Sequence, residues 1–273
     1  APRRMPKSSP VDKPQVIAAE GARRKRVALL SGCAQTVLAP QINEATVRLL
    51  TRLGVEVVVA EGAGCCGSLV HHLGKVDQSH TQAKAAIDAW TREIDAGGLD
   101  AVIINSSGCG TQIKDYGFMF RDDPNYADKA AQISLLARDV TEFVTELGAE
   151  LPSSGNATDL RVTSQSACSM QHGQSLHRQP RDLLSAAGFK VREPAEGHLC
   201  CGSAGTYNIL QSELADQLRD RKAANIAATT PDIVATGNIG CITQLADAID
   251  APIVHTVELL DWATGGPKPG ALA

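Results

Sequence analysis

Eight cysteines fall into two sets with the same order, and this duplication constrains the chain more than any other feature. Cys168 follows Cys33, Cys200 follows Cys65 and Cys201 follows Cys66 by the same 135 residues, and Cys241 follows Cys109 by 132. Each set is a single cysteine, a vicinal pair followed by glycine, and a later single cysteine. The flanking text agrees: Gly64-Cys65-Cys66-Gly67-Ser68 recurs as Leu199-Cys200-Cys201-Gly202-Ser203. Self-similarity at a fixed offset marks repeated modules, so two copies of one unit are expected.

Within the first copy, residues 26–30 read as a buried strand, residues 42–53 carry helical apolar spacing, and Val55-Glu56-Val57-Val58-Val59 is a second strand. A helix is expected over residues 79–96, ended by Gly97-Gly98, before a third strand at 101–104. The second copy repeats the order, with a strand at 160–163, a helix over 174–187, a short strand near Phe189 and a strand at 233–236. Alternating strands and helices imply parallel sheets. The fold class expected is therefore α/β: two tandem Rossmann-like modules with parallel sheets, related by internal duplication. Residues 1–24, rich in Pro2, Pro6, Pro10 and Pro14 and lacking a hydrophobic period, read as a linker. The first module is expected over 25–152 and the second over 153–273, divided at the turn-forming run Pro152-Ser153-Ser154-Gly155-Asn156.

Composition narrows the chemistry. A formal net charge of −4 and 3% aromatic residues argue against nucleic acid as a partner. No stretch approaches the roughly 20 apolar residues of a membrane span, and the basic N-terminus, with Arg3 and Arg4, leads into no apolar signal segment. A cytoplasmic location is expected, where thiols stay reduced; at 43% hydrophobic residues the chain needs no disulfide staples. The cysteines then point to metal or redox chemistry. In open parallel sheets ligands gather beyond the carboxyl ends of the strands, and all four cysteine positions of each copy come just after strands, so each set is expected to converge on one site.

Soft thiolates select zinc or iron-sulfur centres. Adjacent cysteines chelate one small tetrahedral ion poorly, whereas a cluster lets neighbours bind different irons, which favours iron-sulfur and keeps zinc as the alternative. Burial around the thiolates is expected to tune the potential, and Gly67, Gly202, Gly108 and Gly240 to let the backbone approach the centre and aim amides at sulfur. A thiol-disulfide couple at the vicinal pairs is a weaker third reading. His71, His72 and Tyr207 follow the vicinal pairs and are expected mainly on the surface or beside the site rather than as ligands or quinone contacts. His172 and Gln174 either donate to sulfur or cap the next helix. The run Arg23-Arg24-Lys25-Arg26 reads as solvated rather than lipid-bound. No GxGxxG lies between a first strand and helix, and no P-loop lysine motif or Gly-x-Ser-x-Gly elbow occurs, so the substrate-oxidising flavin is expected elsewhere.

Several phrases carry a family resemblance: Ser31-Gly32-Cys33-Ala34-Gln35, Ser107-Gly108-Cys109-Gly110, Lys114-Asp115-Tyr116-Gly117, Gln171-His172-Gly173-Gln174, Cys200-Cys201-Gly202-Ser203-Ala204-Gly205-Thr206-Tyr207 and Asn238-Ile239-Gly240-Cys241. Over about residues 25–265 the chain resembles the "CCG" cysteine-rich modules of heterodisulfide reductase and of iron-sulfur subunits in lactate, glycerol-3-phosphate and glycolate oxidation systems, the glycolate oxidase iron-sulfur subunit above all. The resemblance implies an electron-transfer component acting with FAD-containing subunits, with quinone as acceptor and the substrate oxidised elsewhere. It implies that Cys33, Cys65, Cys66, Cys109, Cys168, Cys200, Cys201 and Cys241 bind iron-sulfur clusters of the [4Fe-4S] type, with zinc as the alternative in one or both modules. A non-catalytic zinc scaffold that docks the other parts is the rival function. The family's N-terminal ferredoxin-like domain has no counterpart in this chain. Ser106 and Asn238 stand where the fuller family pattern has a further cysteine, which puts disulfide-reductase activity in doubt. A peripheral location at the inner face of the plasma membrane is kept beside the cytoplasmic one.

Overall fold

The computed structural model describes residues 6–151, 154–156 and 159–272. In the first copy the elements are β1 (Gln15–Ile17), β2 (Lys25–Leu29), α1 (Ala34–Leu38), α2 (Gln41–Arg52), β3 (Val55–Val59), α3 (Ser68–His72), α4 (Val76–Gly97), β4 (Ala101–Ile104), α5 (Ser107–Lys114), α6 (Tyr116–Met119), α7 (Ala127–Leu136), β5 (Ala137–Asp139) and α8 (Val140–Leu147). The second copy runs β6 (Arg161–Ser164), a π-helical turn (Ser169–Gly173), α9 (Gln179–Ala186), β7 (Lys190–Arg192), α10 (Tyr207–Leu210), α11 (Ser212–Ala227), β8 (Ile233–Thr236), α12 (Ile239–Leu245), β9 (Ile253–His255) and α13 (Thr256–Ala263).

Two sheets result, ordered β1-β3-β2-β4-β5 and β7-β6-β8-β9. Apart from β1, all pairs are parallel. The α/β class with parallel sheets and duplicated topology is thus as the sequence implied. The strands β4 and β8 are buried at every position, which suits sheets covered on both faces. Pro2, Arg3, Arg4, Pro152 and Ser153 lie outside the described residues. Two expectations need correction. Residues 1–24 are not linker throughout, because Gln15–Ile17 adds an antiparallel edge strand along Val57–Val59. The helix expected from residue 174 begins only at Gln179, because the chain after Cys168 first makes a π-helical turn.

The copies pack through a shared helical layer. Helix α2 lies on α13, and α8 lies on α9, so each partner helix comes from the other copy. Leu49 and Leu50 of α2 join Val57, Leu184, Val257 and Leu260 in a core that spans both sheets. Polar groups fix the seam: Asp261, 1% exposed, accepts from Arg48 Nε at 2.8 Å and pairs with Arg52 Nη2. The helices after the last strands start alike, with capping boxes of Asp139 with Glu142 and His255 with Glu258. The outer faces hold separate cores, one around Trp90 and Tyr116 and a smaller one around Met170, Ile226 and Leu245.

Candidate metal centre

Strand ends deliver the cysteines. Beyond β2 the chain turns through Gly32 and Cys33 into α1, and a buried amide network holds this turn. Asn43 Nδ2 donates to the Ser31 carbonyl at 2.9 Å, while Gln35 Nε2 donates to Asn43 Oδ1 at 2.7 Å and Asn105 Oδ1 at 2.6 Å. Cys109 and Cys241 lie in the first turns of α5 and α12, directly after β4 and β8. The vicinal pairs follow β3 and β7. Gly67 and Gly202, at φ +83° and +90°, turn the chain in the left-handed region, and a Cβ on either would strike the backbone of α4 or α11, at the carbonyl of Ser79 or Ala215. Their amides donate to Cys65 Sγ at 3.4 Å and Cys200 Sγ at 3.3 Å, as expected for glycines aiming donors at sulfur. Gly108 and Gly240 lie within α5 and α12, and no bond from their amides to sulfur is present among the described residues.

In each copy the four thiols adjoin one another in sequence order. Cys65 Sγ is 3.5 Å from Cys33 Sγ, and Cys66 lies between Cys65 and Cys109. In the second copy Cys168 and Cys200 sulfurs are 3.8 Å apart, Cys201 and Cys241 sulfurs 3.0 Å, and Cys200 also bonds Cys201. Bonding from Cys168 and Cys201 drives the Cys200 thiol far down, and bonding from Cys201 drives Cys241 down. Cys168 and Cys201 are pushed up by these same neighbours and by burial, so raised and lowered thiols alternate along the row. In the first copy Cys33 and Cys66 are pushed up by Cys65 and Cys109 respectively, and by burial. Among the described residues no three His, Cys, Asp or Glu side chains form a cage for a single ion. A row of four adjoining soft donors, its vicinal members engaging different neighbours, fits a multi-iron centre in donor chemistry. Cys66, Cys201 and Cys241 are buried, but Cys33 is exposed, so the expected burial does not extend to the whole first set.

Both sets face one cavity of about 830 Å³, lined by seven of the eight cysteines, with Cys200 outside the lining. The two positions noted for their missing cysteine meet here: Ser106 Oγ donates to Asn238 Oδ1 at 3.2 Å, and Asn238 Nδ2 lies 3.6 Å from Cys241 Sγ. Ser107 N donates to the Gly237 carbonyl at 3.1 Å beside them. His72 and Tyr207 line the cavity, and His72 Nε2 is 3.2 Å from Ser68 Oγ. His71 is exposed outside the lining. Gln174 takes neither expected role, since its Nε2 donates across the seam to the Ser107 carbonyl at 3.0 Å; His172 Nε2 lies 3.4 Å from the His198 carbonyl. In the basic run, Arg23 and Arg26 pair with Glu56, Arg26 also with Glu93, and Lys25 with Asp100, while Arg24 donates to the Leu147 carbonyl.

Sequence reasoning missed Lys222, 0% exposed, whose Nζ donates to the carbonyls of Glu196 and Gly197 at 3.1 Å each, just before Cys200-Cys201. Burial pushes this ammonium below its ordinary pKa, against the pull of the Cys201, Cys241 and Cys200 charges. It sits in the polar run Arg219-Asp220-Arg221-Lys222, which reads as surface. The repeat register was the available signal, because the 135-residue offset of the vicinal pairs sets Lys222 against the apolar Ile87 of the first copy.

Comparison with known proteins agrees with the geometry. A model of the CCG family, "Cysteine-rich domain", matches residues 27–114 and again 162–246. The chain is 40% identical over 240 residues to the glycolate oxidase iron-sulfur subunit of Escherichia coli (strain K12), covering 88% of this chain and 58% of that protein. It is 32% identical to the probable glycolate oxidase iron-sulfur subunit of Bacillus subtilis (strain 168), covering 96% of this chain and 60% of that protein. Lactate utilization protein A of the same organism is 27% identical, with 86% of this chain and 99% of that protein covered. The chain thus spans less than two thirds of the length of the two glycolate oxidase relatives. A hypothetical protein from Helicobacter pylori shares the fold, with a TM-score of 0.59 at 12% identity over 95% of this chain and 53% of that one. Two matched segments, each carrying one four-cysteine set at the ends of parallel strands, show that the chain belongs to the CCG cysteine-rich domain family and holds two copies of that domain.

Proposed function

We propose that this chain is the electron-carrying iron-sulfur part of a flavin-linked 2-hydroxy-acid oxidase of the glycolate oxidase kind. In this reading Cys33, Cys65, Cys66 and Cys109 hold one [4Fe-4S] centre and Cys168, Cys200, Cys201 and Cys241 hold another. The observation that carries it is the pair of four-thiol rows opening on one cavity. Relatives at 40% and 32% identity, named as glycolate oxidase iron-sulfur subunits, support it. The substrate is oxidised on a partner subunit carrying FAD, and the partner choice sets whether glycolate or lactate is used. A bound cluster supplies one-electron storage at a potential set by its surroundings.

This chain's residues perform the rest. The thiolates bind the metal, the Gly67 and Gly202 amides direct dipoles at sulfur and raise the potential, and the buried positions of Cys66, Cys201 and Cys241 keep water from the inner side of each centre. The facing rows give electrons a short path from one copy to the other, on the way from a ferredoxin-like domain toward quinone. The chain works on the cytoplasmic side of the membrane as a peripheral component; no described helix is long and apolar enough to cross a bilayer.

The test is iron, acid-labile sulfide and zinc per chain after purification without oxygen. Iron with matching sulfide is expected. Zinc without iron, persisting through anaerobic reconstitution with iron and sulfide, would replace this reading with a structural scaffold.

A further inference from the structure

The duplication allows the two sites to be compared position by position. Helices α4 and α11 stand at the same place behind the vicinal pairs, since the glycine after each pair abuts a helix carbonyl, Ser79 in one copy and Ala215 in the other. Seven residues further along each helix comes Ala86 in the first copy and Lys222 in the second, both 0% exposed. The next positions keep the match: Ile87 with Ala223 and Trp90 with Ile226, all buried.

Behind the first set the space is filled without charge. Ala86 and Trp90 pack there with Tyr116, whose hydroxyl donates to the Cys66 carbonyl at 2.9 Å. Behind the second set the same space holds an ammonium. Its hydrogen-bond acceptors, the carbonyls of Glu196 and Gly197, are neutral. The Glu196 carboxylate is already engaged by Arg221 and Asn225. A buried charge without an opposite charge is strongly unfavourable, and the other anionic groups acting on Lys222 are the sulfurs of Cys201, Cys241 and Cys200.

We propose that Lys222 is the built-in countercharge of the second cysteine set, and that it holds the centre at Cys168, Cys200, Cys201 and Cys241 at a higher reduction potential than its counterpart in the first copy. The inference rests on the iron-sulfur reading above. Each reduction adds one negative charge to a site whose inner sulfurs, those of Cys201 and Cys241, are buried, and there a fixed cation favours the reduced form. Lys222 touches no sulfur and acts as a potential-setting residue rather than a ligand.

The test is an EPR-monitored titration with dithionite on the anaerobically purified chain, after its iron and sulfide have been counted. Signals are assigned to each copy with Cys66→Ser and Cys201→Ser. Lys222→Met removes charge and donors, Lys222→Gln removes the charge but keeps an N–H for the two carbonyls, and Lys222→Arg keeps the charge. The second centre is expected to titrate above the first in the unmodified chain. In Lys222→Met and Lys222→Gln its reduction equilibrium should weaken at least tenfold, a drop of about 59 mV for one electron, with the first centre unmoved. Lys222→Arg should restore most of it. A second-centre potential unchanged in both neutral variants overturns the proposal, as does a drop in Lys222→Met that Lys222→Gln does not share, which would mark a structural role. A chain with zinc and no iron fails at the counting step, and there the electron-carrier reading falls together with this inference.

Discussion

Replacing Asp261 with Ala should loosen the seam that brings the two cysteine sets to one cavity. The carboxylate is 1% exposed and is held by Arg48, with Nε at 2.8 Å and Nη2 at 2.7 Å from Oδ2, and by Arg52 on Oδ1. Removing one partner of a fully buried ion pair costs about 3–5 kcal/mol, whereas exposed pairs contribute about 0–1 kcal/mol. The Arg48 side chain is 37% exposed and rehydrates readily, but that of Arg52 is only 17% exposed. The expected loss therefore lies below the fully buried figure, at about 2–3 kcal/mol. Asp261→Asn keeps an acceptor and should lose about half as much. The assay is anaerobic denaturant unfolding at pH 7.5, followed by far-UV circular dichroism and by the fluorescence of Trp262, the neighbour of Asp261 on α13. A double-mutant cycle with Arg52→Met should return a coupling of about 1–2 kcal/mol. An Asp261→Ala variant within about 0.5 kcal/mol of the parent, the usual spread of neutral surface changes, would refute the reasoning.

Further outcomes follow from the same physics. Asp139 and His255 occupy matching helix N-caps, 1% and 0% exposed, with opposite proton linkage. Burial raises Asp139 to about 6, against the bonds from Thr141 and the nearby Lys114, and with Glu142 adding to the rise; its stabilising share is full below the unfolded value near 3.8 and is lost as pH rises through 6. Burial lowers His255 to about 4 despite the Asn105 and Gly237 carbonyls, so its share is full above 6.5 and is lost as pH falls through 4. Between pH 7 and 5 the two nearly cancel. Relative to the parent, Asp139→Asn should lose and His255→Gln should gain about 1–2 kcal/mol on acidification across that window, measured by urea unfolding; parallel pH profiles for all three proteins would contradict the assignment. Gly202→Ala should cost about 2 kcal/mol or more, through its positive φ and the clash with the Ala215 carbonyl. It should also cut metal content in the second set alone, with Gly67→Ala doing the same in the first, and equal losses from both sets would contradict separate sites.

Much of this arrangement was legible in the sequence because duplication and period are local signals. The fixed cysteine offset located the repeat, and all-apolar runs such as Ala101–Ile104 located buried parallel strands. Strand β1 escaped notice because three residues in a proline- and lysine-rich segment carry no period, and they pair only because β3 leaves an edge open to them. The π-helical turn after Cys168 escaped because its bonding has no side-chain spacing of its own. That both sets share one cavity depends on how α2 meets α13 and α8 meets α9, which no single copy encodes. Lys222 was hidden by its charged neighbours in sequence, which point to solvent while it points inward.

The central claim, that each four-thiol row holds its own redox-active iron-sulfur centre, is tested most directly by EPR of the anaerobic chain in oxidised and reduced states, alongside Cys66→Ser and Cys201→Ser. Two signals are expected in the unmodified chain, with Cys66→Ser losing one and Cys201→Ser losing the other, each loss matched by a fall in iron and sulfide. Signals that survive both substitutions unchanged, or iron content that does not fall in either, would contradict it.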